Sequence, residues 1–369
     1  MNKAFTYNTF PQQVIFGAGV VEKIADVLAQ NDFARALLVT TRSQRANGNV
    51  ARLQNLLGAK LVAVFDATQP HVPQSNVDTT TQLARETNAD VLIVLGGGSA
   101  IGVAKATAHT LRSPVSTLAI IAIPTTYAGS EMTPVFGVTR ERDGVARKET
   151  VNDARIVPRV VLYDALLTLD VPRDLTASTG VNAFAHCVEA AYSITRNPLS
   201  SAAALSGARM IYHALPRCVE HGADLQARSE MLQGAYLAGV ALGNVAMGLH
   251  HGVCHVLGGT LNLPHGMANA IVLPHAIRFN VELCAAELAQ LARGIGIDAE
   301  SDELAARELG KRVALWIQHM QLPTRLRDVG VREQDLALVT QLATQSKTVQ
   351  NNPRKVSEQE MGRFLRELW

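Results

Sequence analysis

Histidines are the residues of this chain best placed to do chemistry. Five of its eleven fall between Gly248 and His275, in the run GLHHGVCHVLGGTLNLPHGMANAIVLPH. His251 and His255 are four apart, a spacing that sets two imidazoles on one face of a helix. His265 follows in a Pro-His-Gly turn. Upstream, Asn182 and His186 repeat the four-residue spacing in TGVNAFAHCVEA. Imidazoles gathered from separate segments suit a divalent metal or proton handling near neutral pH. The candidate site is therefore His186, His251, His255 and His265, with Asn182 where a carboxylate ligand would most naturally stand. His71, His109, His213, His221 and His319 lack such company and read as ordinary core or surface residues. His250 and His275 sit beside better placed candidates.

Two further motifs could hold a ligand. Gly96-Gly97-Gly98-Ser99 follows the apolar run Val91 to Leu95 and precedes a helical pattern from Ala100 to Leu111. Glycines let a backbone approach a phosphate closely, and a helix amino terminus offers free N–H groups and partial positive charge. The spacing is not GxGxxG, so a standard Rossmann fingerprint does not follow. Pro124-Thr125-Thr126-Tyr127-Ala128-Gly129-Ser130-Glu131 follows a second apolar run, Ala119 to Ile123. Its hydroxyls could contact a phosphate, ribose or amide.

These motifs need elements to position them. Short buried strands are expected at Ala36 to Thr41, Leu61 to Phe65, Val91 to Leu95, Ala119 to Ile123 and Val160 to Tyr163. Helical patterns lie between them at Gly19 to Gln30, Asn49 to Gly58 and Asp78 to Asn88. Such alternation, with continuous apolar strands, predicts a parallel sheet covered on both faces. After Asp164, Ala- and Leu-rich helical patterns dominate, at Pro198 to Tyr212, Leu225 to Leu242, Ala285 to Arg293 and Ser301 to His319. The expected organisation is an α/β domain over 1–158 (Rossmann-like, dinucleotide-binding) and an all-helical catalytic domain over 159–369. A cleft between them is where a ligand is expected.

Composition narrows the function classes. A net charge of +2, with scattered basic residues, gives no field for nucleic acid or an anionic membrane. No apolar run approaches the length of a membrane span, and the first residues show no signal-peptide pattern. The four cysteines form no CxxC pair and read as reduced thiols of a cytoplasmic protein.

The ordered motifs resemble the iron-containing alcohol dehydrogenase family over essentially the whole chain: GGGS after a strand, TT…GSE, TG with His186 on a helix, and HG…H…PHG…AN…LPH. Within that family the chain is most similar to the maleylacetate reductases. Three features carry this: Gly102 in GGGSAIGVAK, where alcohol dehydrogenases usually have an aspartate; PTTYAGSEMTP; and Asn182 in place of a metal-binding aspartate. The resemblance implies a dehydroquinate synthase-like architecture and a homodimer. It makes Asn182, His186, His251 and His265 the positions that bind Fe²⁺ or Zn²⁺ in metal-dependent members. It places His255 beside the nicotinamide, as the proton donor. Gly96, Gly97, Gly98, Ser99, Thr125, Thr126 and Lys148 become contacts of NADH or NADPH, and Thr40-Thr41-Arg42 carries no acid to repel a 2′-phosphate.

An amide at 182 brings no negative charge, so affinity for iron or zinc should fall. Reduction of a ketone-conjugated C=C needs less help from a metal than alcohol oxidation does, because the enolate formed is delocalised. The expectation is therefore a reductase of a small dicarboxylate enone for which a metal is not required. Tyr127, Arg278 and Arg354 are the candidate substrate contacts. The rivals are a metal-dependent alcohol or polyol dehydrogenase of the same family, a lyase of the dehydroquinate synthase kind, and a binding protein without catalysis.

Overall fold

The computed structural model describes residues 4–7, 9–113, 117–142 and 145–369, without the side chains of 141–148. It divides into two compact units, Thr9–Val171 and Pro172–Trp369, the latter grouped with residues 4–7. The division falls beyond the expected boundary at Pro158. The reason is a strand at Val160–Tyr163, which hydrogen-bonds in parallel to strands at both Gln13–Phe16 and Ala119–Pro124 and so belongs to the sheet.

The first unit holds β1 (Gln13–Phe16), β2 (Ala36–Val39), β3 (Leu61–Phe65), β4 (Val91–Gly96), β5 (Ala119–Pro124), the hairpin β6 (Val135–Arg142) and β7 (Val145–Asn152), and β8 (Val160–Tyr163). Six strands form one parallel sheet in the order β1-β8-β5-β4-β2-β3. Its helices are α1 (Ile24–Gln30), α2 (Arg42–Ala46), α3 (Asn49–Leu57), α4 (Gln74–Glu86) and α5 (Gly98–Leu111). Alternate residues of each strand feed separate cores. Val91, Ile93 and Leu95 join Ile24, Val27, Val50 and Leu53 on one face. Leu92 and Val94 join Val77, Ile101 and Ala104 on the other. Burial on both faces is why these strands read as unbroken apolar runs.

The second unit is helical: α6 (Arg173–Tyr192), α7 (Pro198–Glu220), α8 (Leu225–Leu242), α9 (Leu249–Leu261), α10 (His265–Gly294), α11 (Asp302–His319), α12 (Asp335–Gln345), α13 (Lys347–Gln350) and α14 (Glu358–Leu368). α6 is buried at every residue from Gly180 to Tyr192. α10 is far longer than the expected Ala285 to Arg293. It begins at His265, directly after its N-cap Pro264, continues through Pro274, and is non-helical only at Cys284. The Pro-His-Gly segment, expected as a turn, is thus a helix start, where a proline costs no hydrogen bond. No helix among the described residues is long and apolar enough to cross a membrane.

Candidate active site

Three polar residues interrupt the buried stretch of α6: Asn182, His186 and Glu189. Their spacing of four and three places them on one helical face. His250, His251 and His255 come from α9, and His265 is the first residue of α10. The rings form one continuous group. His186 stacks on His251 with centroids 4.7 Å apart and planes at 17°. His251 lies 6.1 Å from His255 and 6.2 Å from His265, and His255 stacks on His265 at 5.8 Å. All four candidate histidines are thus brought together, with Asn182 one turn from His186. The group grades from buried His186 and His251 through half-buried His265 to exposed His255.

Burial fixes the charge state at the closed end. Desolvation lowers the pKa of His186 well below its ordinary value and pushes His250 and His251 down to about 3, with neighbouring imidazoles adding to the shift. These rings are therefore neutral at physiological pH. Within this group, three buried atoms have no hydrogen-bond partner among the described residues: Asn182 Oδ1, His186 Nδ1 and His251 Nε2. An unpaired buried acceptor costs roughly 1–3 kcal/mol, so these three atoms call for a donor or a cation.

Glu189 was not anticipated from the sequence. Its Oε1 accepts the backbone N–H groups of Gly248 (3.1 Å) and His250 (3.0 Å), and its Oε2 accepts that of His251 (3.2 Å). The same Oε2 lies 2.6 Å from His251 Nδ1. Burial pushes the Glu189 carboxyl up, while His250 and the backbone donors hold it down. The Asn352 amide completes the collar, accepting the N–H of Leu249. Together they satisfy the first turn of α9, whose N-cap Gly248 has no side chain to do so. The signal in the sequence was the Asn182–His186–Glu189 stripe: a carboxylate in an all-round apolar helix is paid for only by partners.

In the sheet-bearing unit, β4 and β5 pair so that Gly96 is opposite Pro124, which sets the two loop motifs side by side at strand carboxyl ends. Thr125 N–H donates to Gly96 O at 3.1 Å. A Cβ on Gly97 would come within 2.7 Å of Thr126 Oγ1, so only glycine permits this approach. Gly97 is also the N-cap of α5 and provides no side-chain cap, leaving the N–H groups of the first turn available to an anion. Gly97, Gly98 and Ser99 are partly exposed, whereas Thr125, Thr126 and Tyr127 are buried. Behind the loops, Lys105 Nζ donates to the carbonyls of Thr133 (2.6 Å) and Val135 (3.2 Å) and lies near Glu131; burial pushes its pKa down to about 7. The side chain of Lys148 lies outside the described residues.

The two arginines expected at the substrate make other contacts. Arg278 is exposed on α10 and contacts His275 at 2.7 Å. It stands thirteen residues beyond His265 on that helix, about 20 Å along the axis. Arg354 donates to Phe279 O and Glu360, each at 3.0 Å, and lies over the Phe279 ring at 4.1 Å. It is a structural clamp on the far part of α10. The charge of a dicarboxylate substrate selected both, and neither sequence neighbourhood disclosed these partners.

The family models for iron-containing alcohol dehydrogenase match residues 11–165, and for the Fe-containing alcohol dehydrogenase C-terminal region residues 176–369. The chain belongs to the iron-containing alcohol dehydrogenase family. It is 38% identical to the maleylacetate reductase of Burkholderia cepacia over 351 residues, 95% of this chain and 94% of that one. The crystal structure of maleylacetate reductase from Rhizobium sp. strain MTP-10005 is 34% identical, with a TM-score of 0.87 over 100% of this chain and 99% of that one. That of a 1,3-propanediol oxidoreductase is 31% identical, with a TM-score of 0.92 over 100% of both. The expected α/β-then-helical fold is thus the family's own. Fold likeness does not separate enone reductases from alcohol dehydrogenases, so the site must.

Proposed function

We propose that the chain is a maleylacetate reductase, transferring hydride from NADH or NADPH to the C=C bond of 2-maleylacetate to give 3-oxoadipate in the breakdown of aromatic and chloroaromatic compounds. The observation that carries this reading is the uncharged Asn182 at the closed end of a neutral imidazole group, in a chain with near-full-length likeness to maleylacetate reductases. The unpartnered acceptors of Asn182, His186 and His251 fit a divalent cation by donor type. Asn182, His186, His251 and His265 would hold it, though an amide and three imidazoles leave its charge unmatched. When bound, it would polarise the ketone oxygen.

The protein's own groups support the reaction as follows. The GGGS loop and the uncapped start of α5 receive the dinucleotide phosphates. Hydride from the nicotinamide adds to the alkene carbon beta to the ketone. The C=C electron pair moves toward the ketone oxygen, forming an enolate. His255, at the exposed end of the group, gives a proton to the carbon next to the ketone and recovers it from solvent. One hydride and one proton have then crossed the double bond, and the cofactor is oxidised. The His265 ring beside it is the candidate N–H donor to the enolate oxygen.

The close fold likeness to 1,3-propanediol oxidoreductase supports a second reading, a metal-dependent alcohol or polyol dehydrogenase. Following NADH oxidation with maleylacetate, propanal and dihydroxyacetone, before and after chelation with metal content measured, separates the two. The expected result is turnover of the diacid alone, surviving chelation. Loss on chelation with recovery on Zn²⁺ or Fe²⁺ would overturn the metal-independent mechanism.

A further inference from the structure

The buried carboxylate behind the histidines has no part in the reaction as written, yet its contacts constrain it. Both Glu189 oxygens are occupied by backbone N–H groups of α9, which is the setting of an ionised, acceptor-only carboxylate. The His251 ring is enclosed, stacked on His186 and edge-on to His250, and the atom 2.6 Å from Glu189 Oε2 is Nδ1. A proton at Nδ1 makes a charge-assisted hydrogen bond; a proton at Nε2 would set a bare nitrogen lone pair against a carboxylate.

The neighbouring ring agrees. His250 Nδ1 lies 3.1 Å from His251 Nδ1, so the two atoms cannot both be protonated. With the proton on His251, His250 keeps its own on Nε2, which lies 3.3 Å from the carbonyl of Asn269. One assignment thus sets no two protons against each other: the single His251 Nδ1 proton goes to Glu189, with His250 Nδ1 as its longer second acceptor. It leaves His251 Nε2 bare, and that is the atom found buried without a partner. For the same reason Glu189, His250 and His251, though close enough to suggest a metal trio, have their facing atoms already engaged with one another.

We propose that Glu189 is a positioning residue that locks His251 in the Nδ1–H tautomer, so that the imidazole presents a lone pair, not a proton, to the site. This deepens the proposed function and rests on it for its catalytic consequence. His251 then holds a donor or a cation, such as a water, a substrate hydroxyl or enol, or a metal ion. It does not hydrogen-bond the ketone as an N–H donor. That role falls to the open end, His255 and His265. A carboxylate hydrogen-bonded to the far nitrogen of a ligating imidazole is commonly worth 10- to 100-fold in activity or metal affinity.

The test is the ring-nitrogen NMR of protein labelled with ¹⁵N-histidine, chelated and without substrate, with His251 assigned from the spectrum of His251→Asn. The expected spectrum shows His251 protonated at Nδ1 and bare at Nε2. In Glu189→Gln the amide cannot accept all the donors the carboxylate takes, and the tautomer is expected to reverse, with kcat down about 10- to 100-fold and KM for maleylacetate changed far less. Asn352→Ser removes the other cap of α9 without touching His251, and should lower Tm while leaving the tautomer as it is. A wild-type His251 protonated at Nε2 overturns the proposal, whether or not Glu189→Gln folds. So does an unchanged tautomer in a folded Glu189→Gln, or a reversal in Asn352→Ser, which would make capping the cause. Because the tautomer is read without substrate, it stands apart from whether maleylacetate is the substrate.

Discussion

Asn182 decides the character of the site. Its oxygen stands unpaired in a buried group of neutral imidazoles, so the protein supplies donors to a cation but no charge at that position. Asn182→Asp should therefore convert a weak metal site into a strong one. A unit charge about 4 Å away is worth about 1 kcal/mol in water and about 4 near a protein surface. Zn²⁺ affinity should rise at least roughly tenfold, measured by competition with a chromophoric chelator; equal affinities would show that residue 182 does not face the ion. Three of the four histidines were legible in the sequence because two helical repeats of four announced them, and His265 because it follows closely in a Pro-His-Gly segment. Glu189 was not, because single carboxylates are ordinarily solvated and its partners are backbone N–H groups some sixty residues away. The partners of Arg354, Glu360 and Glu282, were not legible, because a cation's sequence neighbours do not reveal which acids the fold brings to it.

Among the elements, the segment before α4 is strained at two consecutive residues. His71 and Val72 both adopt positive φ, 64° and 56°, which is costly for a β-branched residue. Thr139 pins the turn, its N–H donating to Val72 O and its hydroxyl to His71 O. Val72 then packs where α5 has no side chain: a Cβ on Gly102 would lie 2.7 Å from Val72 Cγ2. Gly102 and the strained turn are a matched pair, and an aspartate at 102 is incompatible with this packing. Gly102→Ala sets a helix-propensity gain of about 1 kcal/mol against an overpacking cost of about 1–3. Gly102→Asp adds a buried charge to the same clash. Tm should fall in the order wild type, Ala, Asp, and a Gly102→Asp protein as stable as wild type would refute the pairing. The buried strands and their helices were legible because double-faced burial writes unbroken apolar runs. β1 and the β6–β7 hairpin were not: β1 is a four-residue edge strand, and the hairpin's sequence is largely polar.

For the molecule as a whole, the buried histidines tie stability to pH. His186, His250 and His251 are held neutral by burial, while the unfolded chain binds protons at the ordinary value of 6.5. Below that value the unfolded state takes up more protons, so stability is complete above pH 6.5 and is lost as pH falls toward about 3. His275, lowered to about 4, adds to the loss. Glu131 and Glu189, raised by burial, act in the opposite sense. The histidines outnumber them, so Tm should decline from pH 6.5 to 5; a flat or rising Tm would show the rings to be charged or solvated in the folded state. Family and fold were legible at this scale because three of the four ordered motifs mark strand ends or helix starts and the fourth sets polar residues inside the buried α6. The boundary between units was not, because β8 joins the sheet after the proline that looked like its end. The central claim is hydride addition to a C=C bond, and the position of the hydride tests it most directly. With maleylacetate and cofactor deuterated at the transferring position, NMR of the product should show one deuterium on the carbon beta to the ketone, next to the carboxylate, in 3-oxoadipate. Deuterium on the former ketone carbon, in a product that keeps its double bond, would contradict the account.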